Sequence, residues 1–288
     1  LAENGQGLNT VYCQMAAEEL GVETEKVNFM QVDTLISPDS GSTVASRATL
    51  IGGNAVVKAA ENLIDKIKEY IADKFDQDKE DIKLKDGSIY GKKDVEIMTL
   101  KEMASKAAME GVYLTTYGWY VSPDISWDEE TGHGNPYFTY VYGCQIAEVE
   151  VDTYTGEIDV LNMTAAHDVG RAINPANVKG QIFGGVSMGL GYGIMEEVET
   201  DQGYIKNTNF DEYLIPTVKD MPDIDPIIIE NPDPNGPFGA KSIGEPTLEL
   251  GAAAISNAVA NATKKRIRSL PLKLEKIIVG KDLTKGGE

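Results

Sequence analysis

Cysteine and histidine are scarce in this 288-residue chain: Cys13, Cys144, His133 and His167 are all it has. Two thiols so far apart make no disulfide framework, which points to a reducing, cytoplasmic setting. They fall short of the four thiolates of an ordinary iron–sulfur cluster. With only two imidazoles there is no His-rich metal site either, so a metal, if present, must be held by something other than side chains. Positive charge is also thin. Against 46 Asp and Glu stand 26 Lys and Arg, 26 − 46 = −20, which argues against nucleic acid or an anionic membrane surface as partner. No run approaches the roughly 20 apolar residues of a membrane span, and no basic-then-apolar signal peptide opens the chain. A Gly-x-Gly-x-x-Gly after a strand and a Walker loop are both missing, which ranks a nucleotide-binding module low. The chain opens on Leu1 without an initiator Met and directly into a motif, so one half of a split polypeptide, a processed product or a fragment is expected.

What is present alternates between irregular, turn-rich stretches and periodic ones, enough for one large domain or two ordinary ones. Val11, Met15, Ala16 and Leu20, stopped by Gly21, predict a short helix. Residues 27–32 predict a strand. A loop rich in Ser, Thr and Gly then feeds a helix over 49–74 with the apolar stripe Val56, Ala60, Leu63, Ile67 and Ile71. Lys85-Asp86-Gly87-Ser88 signals a hairpin, and a helix follows over 100–111. Residues 113–140 hold most of the aromatics and read either as a substrate funnel or as a surface loop anchored by them. Period-two alternation over 140–151, the turn Thr155-Gly156-Glu157 and residues 158–161 predict an antiparallel hairpin. Asn174-Pro175 is an N-cap followed by a first-position proline. Its helix carries Gln181, Gly184, Gly185, Gly189 and Gly191. Each glycine costs a helix roughly 1 kcal/mol against alanine, so close packing against a helix or a ligand is implied. A last helix is expected over 247–268, then a tail with a late strand.

Four places set amides, hydroxyls or backbone N–H groups at a loop-to-helix junction: Gly5-Gln6-Gly7, the 43–48 loop, Gln181, and Ser242-Ile243-Gly244-Glu245-Pro246. The last is the most specific. Pro246 suits a first helical position, which leaves Glu245 at the cap behind a glycine that lets a bulky ligand come close. Taken alone, Glu245 reads first as a first-turn acid complementing the helix dipole, since acids are common in first turns. The 43–48 loop taken alone is either an anion cradle or a plain cap. No junction offers a thiolate or an imidazole, so the four together suit a large, polar, phosphate-bearing organic ligand.

The order of these motifs resembles the C-terminal half of the molybdopterin subunit of the xanthine dehydrogenase/aldehyde oxidoreductase family of molybdenum hydroxylases. The matching pieces are Gly5-Gln6-Gly7-Leu8-Asn9-Thr10; Ala45-Ser46-Arg47 with Gly53-Asn54-Ala55-Val56; Asp168-Val169-Gly170-Arg171 with Ile173-Asn174-Pro175; Gly180-Gln181; and Gly239-Ala240-Lys241 with Gly244-Glu245-Pro246. They run to about residue 268. The family's other half, with a Gly-Gly-x-Phe-Gly segment and much of the substrate pocket, is not found. The arrangement is therefore most similar to the medium molybdopterin subunit of bacterial nicotinate dehydrogenases.

The resemblance implies an α+β fold, two mixed α/β subdomains of a molybdopterin-binding domain, interleaved over about 1–135 and 136–288. It implies Glu245 as general base beside molybdenum. It implies Gln6, Gly7, Val44, Ala45, Ser46, Arg47, Ala48, Gln181, Ser242 and Gly244 as cofactor contacts. Tyr12 is either a substrate contact or a packed core tyrosine. The cofactor would be molybdopterin in its cytosine dinucleotide form, holding molybdenum through its dithiolene and with terminal sulfur or selenium. Iron–sulfur and FAD groups would sit on partner subunits, beside a larger molybdopterin subunit. The reaction implied is hydroxylation of an electron-poor carbon, nicotinate favoured over an aldehyde or purine, with water-derived oxygen. A non-catalytic scaffold subunit is the competing reading, against which the joint presence of Gln6, Gln181 and Glu245 argues.

Overall fold

A computed structural model describes residues 1–30 and 32–279. The chain divides into two compact units, one of Leu1–Tyr140 with Pro232–Ser242, the other of Val141–Asn231 with Ile243–Glu288. Both mix helices and sheet, an α+β architecture.

In the first unit, α1 (Leu8–Leu20) ends where Gly21 turns left-handed and donates its N–H back to Ala17 and Glu18. A π-helical turn, Ala48–Gly52, leads into α2 (Gly53–Phe75). The antiparallel sheet β1 (Lys83–Lys85), β2 (Ser88–Tyr90), β3 (Glu96–Thr99) turns at Asp86-Gly87 as expected. It is followed by α3 (Leu100–Met109), whose Thr99 and Glu102 form a capping box. Ile67 and Ile71 from α2, Ile82, Ile89 and Met98 from around the sheet, and Met103 and Ala107 from α3 close the core.

One expectation fails here and another holds in part. Residues 27–30 and 32 form no strand, and Gln31 lies outside the described residues. Phe29, Met30 and Val32 are exposed, and alternation without a neighbouring strand has no ladder to join. The aromatics of residues 113–140 anchor the segment only in part: Tyr120 is half-buried and its hydroxyl donates to the Asn235 carbonyl at 3.4 Å. Tyr113, Tyr117 and Trp119 are 84%, 84% and 71% exposed. Further hold comes from its backbone carbonyls and from Thr116. Asn62 Nδ2 donates to the Tyr117 carbonyl at 2.9 Å and Lys66 Nζ to that of Thr115 at 2.7 Å, while Thr116 Oγ1 donates to Ala59 at 2.9 Å. Further on, β4 (Ser126–Asp128) and β5 (His133–Asn135) form a small exposed hairpin.

In the second unit, β6 (Gly143–Val151) pairs antiparallel with β7 (Ile158–Asp168), as the alternation and the turn at Thr155-Gly156 require. After α4 (Pro175–Ile194), capped by the Asn174 side chain, and the short pair β8 (Thr200–Asp201) and β9 (Tyr204–Ile205), β10 (Asp223–Ile229) joins β7 in parallel. Strand order is β10-β7-β6. Pro226 is tolerated in β10 because that strand is the sheet's edge. Met163 and Ala165 of β7, Val178, Ile182, Val186 and Leu190 of α4, and Ile255 and Val259 make the core.

The single helix expected over 247–268 is two: α5 (Pro246–Glu249) and α6 (Gly251–Thr263), ended by a left-handed Lys264. The division falls where Gly251 meets Gly189, so close that a Cβ on Gly251 would stand 2.9 Å from the Gly189 Cα. The tail is α7 (Leu274–Val279) rather than a strand. Its apolar residues Leu274, Ile277 and Ile278 recur at helical spacing. A late strand beyond Val279 would lie outside the described residues.

Candidate functional site

The expected site residues divide between the units. Gln6, Gly7, Tyr12, the 44–48 loop and Ser242 lie in the first, and Gln181, Gly244 and Glu245 in the second.

In the first unit, Gly7 caps α1 in a left-handed conformation, φ 83°, which a glycine adopts without steric cost. The loop before it is drawn around Glu3. That carboxylate accepts the N–H groups of Gly5 at 2.8 Å, Gly7 at 2.9 Å and Asn9 at 3.0 Å. Burial would raise the pKa of Glu3, but the backbone N–H groups of Asn9, Gly7 and Gly5 outweigh it and hold it below the ordinary carboxylate range. Gln6 spends its amide locally. Nε2 donates to the Ala2 carbonyl at 2.9 Å and Oε1 accepts from the Asn4 N–H at 2.5 Å.

The same loop meets the 40–48 segment, where the Ala2 N–H donates to Thr43 Oγ1 at 2.7 Å. Ala45 and Ser46 are both left-handed, φ 55° and 47°. That is uncommon outside glycine, and two in a row curl the backbone tightly while Val44 stays exposed. The Arg47 guanidinium closes the curl on the Ser40 carbonyl at 2.8 Å. Ala48 accepts the Tyr12 hydroxyl at 2.9 Å. Burial pushes Tyr12 up to about 12, with Arg47 pulling the other way, so the phenol stays protonated. Ser242 Oγ accepts the Leu50 N–H at 3.1 Å, and Asn54 Nδ2 bridges the Leu50 and Asn235 carbonyls at 2.8 Å each. Gln6, Gly7, the loop, Tyr12 and Ser242 are thus one connected framework of backbone and amide.

In the second unit, Glu245 stands half-buried at the N-cap of α5, with Pro246 at the first helical position and the Leu248 N–H on its carbonyl at 3.0 Å. Thr247 is buried, its Oγ1 donating to the Gly244 carbonyl at 2.9 Å. The glycines of α4 explain themselves here. A Cβ on Gly185 would come within 2.1 Å of Thr247 Oγ1, and one on Gly189 within 2.9 Å of the Gly251 Cα. Gln181 sits one turn before Gly185 on the same face of α4, so the helix that carries Gln181 is locked against the turn that carries Glu245. The Gln181 amide has no hydrogen-bond partner among the described residues, and around Gly180 and Gly184 nothing lies within 4 Å of where a Cβ would be.

Sequence reasoning passed over Glu3, Gln145, His167 and Thr247. Gln145 Nε2 donates to the Thr247 carbonyl at 2.7 Å and lies 3.1 Å from His167 Nε2. The signal was parity. Gln145 shares its strand face with Ala147, Val149 and Val151, and His167 shares its own with Met163 and Ala165. A polar side chain on the inward parity of a strand marks a buried network.

Among the described residues no cluster of three or more His, Cys, Asp or Glu could hold a metal ion, and no helix is long and apolar enough to cross a membrane. The donors of the first unit are amide, hydroxyl and curled backbone with open space beside Gly5, and those of the second are the Gln181 amide with open space beside Gly180 and Gly184. Each set is the kind that suits a polar organic group bringing its own ligands to a metal.

The comparisons agree with that chemistry. The family model described as molybdopterin cofactor-binding domain matches residues 1–222. The gamma subunit of the 6-hydroxypseudooxynicotine dehydrogenase complex of Paenarthrobacter nicotinovorans is 31% identical over 277 residues, 95% of this chain and 34% of that one. Aldehyde oxidoreductase of Megalodesulfovibrio gigas is 34% identical over 281 residues, 96% of this chain and 28% of that one. Among solved structures, quinoline 2-oxidoreductase of Pseudomonas putida 86 superposes with a TM-score of 0.82 at 28% identity, over 97% of this chain and 36% of that one. The chain spans from about a fifth to about a third of the length of the curated relatives it matches.

Proposed function

This chain belongs to the molybdopterin cofactor-binding domain family, and from that premise we propose that it is one subunit of a molybdenum hydroxylase acting on an electron-poor carbon of an N-heterocycle, nicotinate above others. The observation that carries the reading is the single carboxylate of Glu245, set behind Gly244 on a turn that Gly185 and Thr247 lock to the Gln181 helix. A proton acceptor works only when held within hydrogen-bond reach of its proton, and this turn is built to be held.

When bound, the molybdenum cofactor supplies the two-electron oxidation of substrate. The chain's own residues bind it and move a proton. Gln181, whose amide is unengaged among the described residues, hydrogen-bonds the cofactor; Gln6 and Gly7 shape the loop that receives it. The left-handed curl at Ala45 and Ser46, with Val44, Arg47 and Ala48, cradles it, and Ser242 holds the turn beneath by accepting the Leu50 N–H. Tyr12 would offer substrate its hydroxyl oxygen, since the hydroxyl proton is directed to Ala48. Glu245 takes the proton from the water-derived oxygen that is added to the substrate carbon. We take the pterin to carry its cytosine dinucleotide and the molybdenum a terminal sulfur or selenium. Iron–sulfur and FAD groups on partner subunits would accept the electrons, and a larger molybdopterin subunit would complete the pocket.

The nicotine-derived and quinoline substrates in the names of two relatives support a nitrogen heterocycle. The relative named aldehyde oxidoreductase makes an aldehyde the competitor. The test is the assembled complex with Glu245→Gln, which keeps shape but cannot accept the proton. Reduction by nicotinate, xanthine and benzaldehyde is followed in single turnover. Nicotinate should reduce the wild type fastest. The variant should keep its molybdenum and lose about 10²–10⁴-fold in rate. Normal reduction of the variant would assign Glu245 to helix capping alone.

A further inference from the structure

Behind the turn that carries Glu245 lie two side chains with no role so far, Gln145 on β6 and His167 on β7. They are diagonal neighbours on one face of the hairpin, since Gln145 pairs with Ala165 and Gly143 with His167. His167 is fully buried. The Thr247 carbonyl, 2.7 Å from Gln145 Nε2, can only accept, so that end of the amide is its NH₂ group. The same nitrogen faces His167 Nε2 at 3.1 Å. That ring nitrogen is therefore the acceptor, and the imidazole, neutral because burial lowers its pKa, carries its proton on Nδ1. The absence of a side chain on Gly143 makes room for it, since a Cβ there would stand 2.7 Å from Nδ1.

The arrangement has a cost. Gln145 Oε1 and His167 Nδ1 are buried without hydrogen-bond partners among the described residues, where the neighbouring positions of β6 carry Ala147, Val149 and Val151. A strand that needed only packing would use an apolar pair. What the two polar groups hold is the Thr247 backbone. α5 is four residues long and its carbonyls have little intrahelical bonding to rely on. Thr247 in turn ties Gly244 through Oγ1, and the Leu248 N–H ties the Glu245 carbonyl.

We propose that Gln145 is a positioning residue for Glu245: aimed by His167, its amide fixes the Thr247 carbonyl and with it the turn from which the Glu245 carboxylate projects. The proposal rests on Glu245 being the base.

The experiment uses the assembled complex carrying Gln145→Leu, His167→Leu or His167→Gln, with Glu245→Gln in parallel. The substrate is whichever of nicotinate, xanthine and benzaldehyde reduces the wild type. Turnover is expressed per bound molybdenum, and hydrogen exchange is read on the peptide covering residues 243–250. Gln145→Leu and His167→Leu should lose about ten- to a hundredfold in turnover with KM nearly unchanged, and should exchange the Leu248 amide faster. His167→Gln supplies another acceptor and should stay near wild type, a rescue that loss of packing alone would not give. Wild-type turnover and exchange in both Leu variants would overturn the proposal, as would failure of all three variants to assemble. If Gln145→Leu alone fails to assemble, the two His167 variants decide. An inactive Glu245→Gln beside normal Gln145→Leu and His167→Leu removes only the positioning role; a fully active Glu245→Gln removes both it and the base.

Discussion

The 44–48 loop and the α4–α5 crossing present polar groups by opposite means. The loop curls its backbone through two successive left-handed residues, Ala45 and Ser46, and its outer residues stay exposed. The crossing uses ordinary helices and places its groups by removing side chains, so that Gly185 and Gly189 bring backbones together. The first stores strain in dihedrals, the second spends helix propensity on proximity. A curl can yield to what it binds. A glycine-on-threonine contact cannot, and that suits the place where a carboxylate must be held still.

The crossing should therefore break first and hardest. Gly185→Val drives methyl groups into Thr247. About 1–3 kcal/mol of overpacking is expected, together with turnover loss beyond what the lost stability explains, checked by chemical denaturation and by rate per bound molybdenum. Gln181→Leu should leave the fold intact and lower cofactor occupancy, because a ligand group loses its partner at about 1–3 kcal/mol. Molybdenum content against protein reads this directly, and full occupancy would make Gln181 an ordinary helix residue. Gly184→Ala sharpens the contrast by going the other way. Nothing lies within 4 Å of its Cβ position, so the helix should gain about 1 kcal/mol. A gain in stability with a drop in molybdenum content would place a ligand against that face of α4.

The smallest effect belongs to the loop side. The folded-state pKa of Glu3 lies below its ordinary value of 4.5. Its contribution is thus fully present above about pH 4.5 and is lost as pH falls through the lowered folded value. Amide exchange over residues 4–9 should quicken in that acid window, and Glu3→Gln should remove the pH dependence.

Much of this was legible in the chain. The hairpins, α4 with its cap, the glycine stop at Gly21 and Pro246 at the start of α5 are local chemistry, written in a few adjacent residues. What escaped depends on distant partners. Residues 27–32 have the composition of a strand, but 27–30 and 32 have no neighbouring strand to pair with among the described residues, whereas β10 carries a mid-strand proline and pairs all the same because its other edge is open. The break at Leu250 comes from Gly189, some sixty residues earlier. In the candidate site, Glu245 and Gln181 stood out by motif. Gln145 and His167 did not, because a polar residue on an inward strand face gains meaning only once the facing helix is known.

The outward face of residues 113–140 has an optical consequence. The chain has two tryptophans, Trp119 and Trp127, both in the first unit and both exposed, at 71% and 56%. Their emission is that of indole in water in the folded chain, and a blue shift on mixing with another protein reports burial of this one surface. The unit that holds Glu245 carries no indole, so its melting is silent in tryptophan fluorescence and must be followed by circular dichroism or amide exchange instead.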